Sequence, residues 1–217
     1  MKKIFDYSLI MSAGSGSRMS PLTDYIPKAL VCYKNKELID RAITIHQSVS
    51  SNVFVTVGHK KELLTKHLVN KGSFNLMDTS GHDNVWWVFN SVMKEVDKPV
   101  FVSTCDNFAD INFDSILSSI DLSSIVCLLI LVDSGGERCG DYIEEKDNSV
   151  ISIGREKTKN LCSGFQIINP YKINQLIGEQ KSFRDLWESL IEKNALNCIS
   201  GSISNWDAID NFDQIAT

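Results

Sequence analysis

The segment from Ser12 to Leu30 combines small residues, one arginine and one lysine in an order that suits phosphate chemistry. It follows a short apolar run, and glycines and serines at such a place let backbone N–H groups approach an anion closely. Arg18 offers a planar fork of donors to phosphate oxygens, and Lys28 offers a compact positive charge. The spacing alone leaves two interpretations open: a loop that wraps a nucleoside triphosphate, or a surface loop with two solvated cations.

Two other phosphate-binding patterns fit this segment poorly. The dinucleotide fingerprint requires G-x-G-x-x-G at the start of a helix. Gly14 and Gly16 are present, but Met19 stands where the third glycine is required, and Pro21 would disturb the early helix. The P-loop pattern GxxxxGK[ST] occurs nowhere in the chain. Among the phosphate-binding patterns, the one that remains is a loop that wraps a triphosphate and supplies Arg18, and a surface loop with two solvated cations stays the other interpretation.

The overall charge argues against a nucleic-acid partner. The 217 residues include 22 basic and 27 acidic side chains, a net charge of −5, and no block of lysine and arginine stands out. Nucleic-acid binding requires a basic patch or stripe. An acidic protein that binds phosphates must hold them locally, with a few placed cations and backbone amides.

The apolar segments and the cysteines are typical of a cytoplasmic protein. No apolar run approaches the ~20 residues of a membrane span, so no membrane partner is expected. Asp6 interrupts the N-terminal apolar run, and no signal cleavage site follows. The six cysteines form no CxxC pair and no zinc-like cluster. Reduced, buried thiols are therefore expected at positions 32, 105, 127, 139, 162 and 198.

An alternation of strands and helices must position these residues. Strands are predicted at Tyr7–Met11, Val53–Val57, Phe74–Met77, Val100–Ser103 and Ser124–Val132, and helices at Glu37–Val49, Glu62–Val69 and Val85–Val96. Further predicted elements are short strands at Tyr142–Glu145, Val150–Ile153 and Gly164–Ile168, and a helix carrying Phe183, Leu186, Trp187 and Leu190. This order predicts an α/β fold with a mostly parallel mixed sheet, with antiparallel pairing in the second half. No linker or repeat is evident, so residues 1–217 are expected to form a single domain.

The opening residues also resemble a known family. The stretch Ser12–Leu30, continued through Lys36–Ile43, is similar to the start of the sugar-phosphate nucleotidylyltransferases, which follows AAGxGxRxxPLT, then PKxL, then KPLIDxxI. Ser12 replaces the first alanine of that pattern, and Ala29 replaces a proline. The resemblance indicates the short single-domain branch of the family, near the enzymes that act on sugar 1-phosphates and phosphocholine.

Two later segments resemble the family's metal-binding regions. Val100–Asn107 is similar to the strand that ends in a metal-binding aspartate, which implies that Asp106 is a metal ligand. Asn205–Ile215 is similar to the ending W-x-D-I-D, which implies Asp210 as the second ligand and leaves Asp207 as the alternative.

A third segment resembles the family's region that faces the substrate phosphate. Val150–Lys157, followed by Ser163–Pro170, is similar to the pattern V…EKP…aGiyvfnP. The resemblance implies that Lys157 contacts the phosphate. Thr158 stands where the family has proline, so Arg155 remains an alternative.

The resemblance implies a Rossmann-like three-layer sandwich of the nucleotidyltransferase type, and an enzyme that uses Mg²⁺. A substrate phosphate would attack the α-phosphorus of an NTP and expel pyrophosphate, with Arg18, Lys28 and Asp106 as catalytic residues. The nucleotide-binding residues implied are Ser12, Ala13, Gly14, Ser15, Gly16, Ser17, Arg18, Asp83 and Asn84, and the substrate-binding residues are Trp86, Asn107, Lys157 and Gly164. The expected product is an NDP-sugar for surface polysaccharide or glycan synthesis, made by a monomer or homodimer.

Residues 78–90 leave the acceptor open. Relatives that act on sugars often carry a glycine-rich stretch here, whereas this chain has Asp83 and Asn84 before a helix with Trp86 and Trp87. A tryptophan face could receive a quaternary ammonium group through cation–π attraction. Neighbouring tryptophans on a helix point in different directions, so at least one is expected in the core. The alternative function is therefore a cytidylyltransferase that acts on a non-sugar phosphate, such as phosphocholine or another phosphorylated metabolite.

Three rival functions fit less well. A non-catalytic binding protein would not need Arg18, Lys28, Asp106 and Asp210 together. A glycosyltransferase would need a DxD-like motif, and residues 104–107 supply only one acid. A molybdenum-cofactor-type nucleotidyltransferase opens with a similar loop, but the Pro-Leu-Thr at residues 21–23 favours the sugar-phosphate branch. The chain ends soon after Asp210, so no appended acyltransferase domain is expected.

Overall fold

The structure of this chain is a computed structural model, and it describes residues 3–72, 74–135 and 140–215. The strands are β1 (Phe5–Met11), β2 (Cys32–Tyr33), β3 (Lys36–Glu37), β4 (Ser50–Val57), β5 (Asn75–Asp78), β6 (Val100–Thr104), β7 (Asn107–Ile111), β8 (Cys127–Asp133), β9 (Tyr142–Lys146), β10 (Ser149–Gly154), β11 (Asn160–Ile168), β12 (Leu196–Ile199) and β13 (Ile203–Ala208). The α-helices are α1 (Leu38–Val49), α2 (Lys61–Lys71), α3 (Trp86–Asn90), α4 (Phe113–Ser119), α5 (Pro170–Leu176) and α6 (Phe183–Glu192).

The chain divides into two compact units. The first contains the described residues up to 84, together with 101–108 and 207–215. The second contains residues 85–100 and the described part of 109–206. The predicted single domain over residues 1–217 stays a prediction.

The first unit is built on a sheet whose strands lie in the order β5, β4, β1, β6. β1 pairs with β4, and β4 with β5, both in parallel. Alternate residues of β4 pack with the apolar faces of α1 and α2 in one buried hydrophobic cluster. This cluster consists of Ile10, Ala29, Ile39, Ala42, Ile43, Val53, Val55, Val57, Leu64, Leu68 and Cys105. Parallel strands end at the same edge of a sheet, so the loops that follow them meet there.

A buried carboxylate joins the two helices of the first unit. Asp40 on α1 accepts hydrogen bonds from Nε2 of His67 at 2.8 Å and from Nζ of Lys71 at 2.7 Å, both on α2. Burial by itself would raise the pKa of Asp40, but the hydrogen bonds and charges of Lys71 and His67 outweigh it and lower the pKa. Asp40 is therefore ionised and compensated at neutral pH.

The second unit has the antiparallel pairing that the sequence predicts for the second half. β8 pairs antiparallel with β11 and parallel with β12, while β10 pairs antiparallel with β12 and β9. The apolar side of α6 is buried, and Nε1 of Trp187 donates to Oε1 of Gln166 at 3.1 Å. The α/β class and the mixed sheet are thus confirmed.

Two predicted elements are shorter in the structure. The predicted helix Val85–Val96 is interrupted at Ser91, whose hydroxyl donates to the carbonyl of Trp87 at 2.6 Å and accepts from the N–H of Met93 at 3.1 Å. The Ser91 side chain thus forms hydrogen bonds with backbone groups that a continuous helix would use, and a separate 3-10 turn begins at Val92–Glu95. The predicted strand Ser124–Val132 begins only at β8, because a turn built on the Asp121 carboxylate precedes it.

The cysteines within the described residues are free thiols in different environments. Cys105, Cys127 and Cys198 are buried and Cys162 is half-buried, but Cys32 is exposed, so the prediction of burial is wrong for Cys32. Burial raises the pKa of Cys162 to about 11 and that of Cys198 to about 12. Cys139 lies outside the described residues. Among the residues that are described, no helix has the length and apolar character needed to cross a membrane.

Candidate active site

The loop after β1 folds as a series of 3-10 turns instead of an α-helix. The turns cover Ser17–Met19, Leu22–Asp24 and Lys28–Leu30. Met19, at the position of the missing third glycine, is fully buried. This geometry excludes the dinucleotide pattern, which needs a helix to begin at the loop.

Gly16 allows the loop to fold back onto Lys28. Its backbone is left-handed, with φ +64°, and a Cβ atom there would lie 2.7 Å from Cβ of Lys28. The hydroxyl of Thr23 donates to the carbonyl of Gly16 at 3.0 Å and fixes the same approach. A glycine is therefore required at this position both for backbone conformation and for space.

Lys28 brings together two carboxylates that are distant in the sequence. Its Nζ donates to Oδ2 of Asp106, which follows β6, and to Oδ1 of Asp210 at 3.3 Å. Nη2 of Arg18 also contacts Oδ1 of Asp210, at 2.8 Å. The side chains of Lys28 and Asp106 are 12% and 15% exposed, whereas those of Asp210 and Arg18 are 39% and 72% exposed. The four predicted charged residues thus form one network.

Lys28 remains protonated in this network. Burial alone would lower its pKa, but the charge and hydrogen bond of Asp106, aided by the charge of Asp210, raise the pKa above its ordinary value. Lys28 is therefore a fixed cation at neutral pH and cannot serve as a base.

Asp106 is held by the residue that follows it. Nδ2 of Asn107 donates to Oδ1 of Asp106 at 3.2 Å and also to the hydroxyl of Thr104. Asn107 is itself buried. The substrate-binding role that the sequence predicts for Asn107 stays a prediction, and in the structure the amide of Asn107 is engaged with the carboxylate of Asp106.

Asp210 is held through its backbone. Oε1 of Gln214 accepts from the N–H groups of Asp210 and Asn211, at 2.7 and 3.0 Å, and Nε2 of Gln214 donates to the carbonyl of Ala208 at 2.9 Å. The alternative ligand Asp207 is occupied elsewhere, because it accepts from the hydroxyl of Tyr33 at 2.9 Å. This geometry favours Asp210 over Asp207 as the partner of Asp106. Sequence reasoning missed Gln214, although its position three residues after Asn211 is the spacing of a helix-capping box.

A pocket of about 390 Å³ opens beside this network, and all of its lining belongs to the first unit. The predicted residues that line it are Ser12, Ala13, Gly14, Gly16, Arg18, Lys28, Asp83, Asn84 and Asp106. Ser15 and Ser17 lie on the same loop but outside that lining. The remaining lining residues are Met11, Thr56, Thr79, His82, Thr104 and Cys105. Met11, Thr56 and Thr104 lie at the carboxyl ends of strands, and Thr79 and Cys105 directly follow strands. A position at the end of a parallel strand is the signal that could have identified them.

The start of the loop packs tightly against the end of β4. The hydroxyl of Ser12 donates to the carbonyl of Thr56 at 2.5 Å, and the N–H of Ser12 donates to the hydroxyl of Thr56 at 3.0 Å. A Cβ atom at Gly58 would lie 2.7 Å from the carbonyl oxygen of Ala13. By contrast, a Cβ atom at Gly14 would meet no atom within 4 Å, so the backbone there is open to a ligand.

The other predicted substrate residues belong to the second unit. Lys157 is exposed on the loop between β10 and β11, and Gly164 lies in β11 with φ +84°. Arg155 contacts Oδ1 of Asp141 at 3.6 Å. Trp86 is half-buried and Trp87 is fully buried, which confirms the expectation that one of the two belongs to the core. The roles of Lys157, Gly164 and Trp86 stay predictions.

Two groups of side chains offer ligands of the kind a divalent cation prefers. Asp106 and Asp210 supply carboxylate oxygens that both reach one cationic group, and hard cations such as Mg²⁺ favour such oxygens. Glu37, Asp40 and His67 form a second group, with one ligand atom of each within 4.8 Å of the others. In both groups the carboxylates are paired with a lysine, Asp40 with Lys71 and the other two with Lys28. The first group is the better candidate for Mg²⁺ because Asp106 lines the pocket.

The family is established by comparison with known proteins. The family model described as "Nucleotidyl transferase" matches residues 7–122, more than half of the chain, and the chain therefore belongs to the nucleotidyl transferase family. The resemblance inferred from the sequence is confirmed.

Individual relatives show how far the similarity extends. The chain is 24% identical over 170 residues to the bifunctional protein GlmU of Methanococcus aeolicus, covering 78% of this chain and 40% of that protein. It is 41% identical over 64 residues to the CTP:phosphoglutamine cytidylyltransferase of Campylobacter jejuni, covering 30% of this chain and 25% of that protein. The chain thus spans less than half the length of these relatives.

The fold is similar to that of a solved structure over nearly the whole chain. The inositol-1-phosphate CTP transferase from T. maritima superposes with a TM-score of 0.78 and 15% identity, covering 99% of this chain and 93% of that one. At this identity the likeness concerns the fold, which is that of a nucleotidyltransferase.

Proposed function

We propose that this protein joins an NMP from an NTP to a small phosphorylated substrate and releases pyrophosphate. The observation that carries the proposal is the network in which Arg18 and Lys28 meet Asp106 and Asp210 beside the pocket. A site with two cations for phosphates and two carboxylates for a metal is what this transfer requires. Family membership supports the same reaction class.

The reaction needs no covalent intermediate with the protein. An oxygen of the substrate phosphate forms a bond to the α-phosphorus, the bond between that phosphorus and the bridging oxygen breaks, and pyrophosphate leaves with the electron pair. Arg18 and Lys28 offset the repulsion between the two anions and stabilise charge on the leaving group. Asp106 and Asp210 would hold Mg²⁺, which when bound would polarise the α-phosphate.

The leading acceptor class is a sugar 1-phosphate, which would give an NDP-sugar for surface polysaccharide or glycan synthesis. This assignment rests on the opening motif through Ile43. We place the reaction in the cytoplasm because NTPs and Mg²⁺ are available there. A monomer or homodimer remains the prediction.

A second candidate is transfer from CTP to a non-sugar phosphate. Two observations favour it: the 41% local identity to a CTP:phosphoglutamine cytidylyltransferase, and Asp83 and Asn84 where sugar-specific relatives often have glycines. Both residues line the pocket. The two candidates differ in the acceptor and leave the roles of the charged network unchanged.

The decisive experiment measures pyrophosphate release by the full chain. CTP, GTP, UTP, ATP and dTTP are each combined with Mg²⁺ and with sugar 1-phosphates, phosphocholine or other phosphorylated metabolites. We expect release that depends on both partners for one pair, and loss of that release in Asp106→Asn. Absence of release with every pair would sink the proposal, while release only with CTP and a non-sugar phosphate would favour the second candidate.

A further inference from the structure

The two cations proposed for the triphosphate are paired in this structure with the two carboxylates proposed for the metal. Nζ of Lys28 bonds to both Asp106 and Asp210. Arg18 bonds to the same Oδ1 atom of Asp210 that Lys28 contacts. One carboxylate oxygen is therefore shared by two cations, and the side chain of Lys28 lies between the two carboxylates.

This arrangement opposes binding of a metal ion without nucleotide. A divalent cation on Asp106 and Asp210 would be placed close to two positive side chains, and like charges a few ångströms apart in a partly buried site repel strongly. The side chain of Lys28 is 12% exposed, and a buried ammonium group needs a paired anion. If a metal ion alone displaced Lys28 from the two carboxylates, the positive charge of Lys28 would be left without a compensating anion.

A triphosphate removes that obstacle, because it offers several negative charges to the displaced cations. Arg18 is 72% exposed and borders the pocket, so its side chain has room to turn towards a ligand. The backbone at Gly14 is open on the same side.

We propose that Lys28 is an internal cation which occupies the metal-binding carboxylates until a triphosphate draws Lys28 and Arg18 away, so that the metal and the nucleotide bind as a coupled pair. The inference rests on the proposed function for the identity of the two ligands. By linkage, each ligand raises the affinity for the other by the same factor.

The test measures Mn²⁺ binding in the absence of nucleotide, by the electron paramagnetic resonance signal of free Mn²⁺. The wild type is compared with Lys28→Met, which removes the internal cation and keeps the apolar stem. The matched control is Lys61→Met, because Lys61 also pairs with an aspartate, Asp78, at 2.6 Å but lies outside the pocket lining. Asp106→Asn is added to each background, and binding that persists there is assigned to other sites, such as Glu37–Asp40–His67.

We expect Lys28→Met to bind Mn²⁺ about tenfold more tightly than the wild type, a factor typical of coupled sites. The gain should disappear with Asp106→Asn, and Lys61→Met should match the wild type. Equal Mn²⁺ affinity in Lys28→Met and wild type would overturn the inference. If Lys28→Met does not fold, Arg18→Ala, at an exposed side chain, should show a smaller gain in the same direction, and no gain there would equally overturn it.

This measurement is independent of turnover. Tighter Mn²⁺ binding by Lys28→Met with no pyrophosphate release from any substrate pair would support the internal cation and contradict the proposed function. Release of pyrophosphate by the wild type with unchanged Mn²⁺ affinity in Lys28→Met would contradict the internal cation alone.

Discussion

At the scale of single residues, Gly16 shows how a backbone position controls charged side chains. Its left-handed conformation lets the loop approach Lys28, and Lys28 in turn reaches both Asp106 and Asp210. A change at Gly16 should therefore disturb the network without removing any charge.

Gly16→Ala is expected to destabilise the fold by about 2 kcal/mol or more. The left-handed backbone costs an L-residue roughly 1–2 kcal/mol, and the new Cβ atom would lie 2.7 Å from Lys28. Thermal unfolding measures the effect. Gly14→Ala is the control, because a Cβ atom there meets no neighbour and its unfolding temperature should equal that of the wild type. Equal stability of both variants would contradict this role of Gly16.

Arg18→Ala and Asp106→Asn should each lower kcat by about 10²–10³, as when a single preorganised donor is lost, while the fold survives. Arg18 is largely exposed, so its loss removes charge at the pocket without opening the core. Steady-state rates of pyrophosphate release, with circular dichroism as the folding control, measure both. Turnover like that of the wild type in either purified variant would remove that residue from the mechanism.

At the scale of elements, α1 and α2 are joined by the ion pair and hydrogen bond at Asp40. The side chain of Asp40 is 9% exposed, so its partners compensate a buried charge, unlike the exposed pair Lys61–Asp78. Buried, hydrogen-bonded carboxylates contribute more to stability than exposed ion pairs do.

Asp40→Asn should lower the free energy of unfolding at pH 7 by about 1–3 kcal/mol, the size of a hydrogen bond to a charged group. The folded state lowers the pKa of Asp40 from 3.8, so its stabilisation is present above about pH 4 and is lost as the pH falls further. Urea unfolding at pH 7 and pH 3 should therefore show a smaller difference between variant and wild type at pH 3.

Asp78→Asn is the matched control for that experiment, since it breaks an exposed ion pair and should lower the free energy of unfolding at pH 7 clearly less than Asp40→Asn does. If Asp40→Asn is as stable as Asp78→Asn at pH 7, the contacts of Asp40 with His67 and Lys71 do not stabilise the packing of α1 on α2.

At the scale of the whole molecule, the described residues from 207 onwards belong to the same compact unit as the N-terminal part of the chain. Ile209 is fully buried with Met19, Val31, Tyr33 and Leu38, and its N–H donates to the carbonyl of Asp106 at 3.0 Å. The same segment carries Asp210, so burial of Ile209 also places the second carboxylate.

Ile209→Ala should destabilise the protein by about 2–5 kcal/mol, because it removes buried methyl groups and leaves a cavity. It should also weaken pyrophosphate release, because the position of Asp210 depends on this anchor. Chemical denaturation compares it with Ile151→Ala, whose side chain is half exposed and should cost little. Similar losses in the two variants would contradict an anchoring role for Ile209.

The sequence by itself determined the local features of this protein. The motif from Ser12 to Leu30 identified the family, the spacing of apolar residues identified α1, and a run of β-prone residues identified β4. These signals depend on neighbours along the chain, and a local pattern also predicted α2. The sequence missed β7, α4, α5, β12 and β13, whose short segments lack a clear period. It also extended a helix past Ser91, where a side chain competes for backbone hydrogen bonds.

Only the tertiary structure decided which distant residues meet. It favoured Asp210 over Asp207, because Tyr33 occupies Asp207, and it engaged Asn107 with Asp106. It also paired Lys28 with both carboxylates. Most of these pairings are contacts between residues that are far apart in sequence. They are determined by packing and by the compensation of buried charge, neither of which can be read from a local sequence pattern.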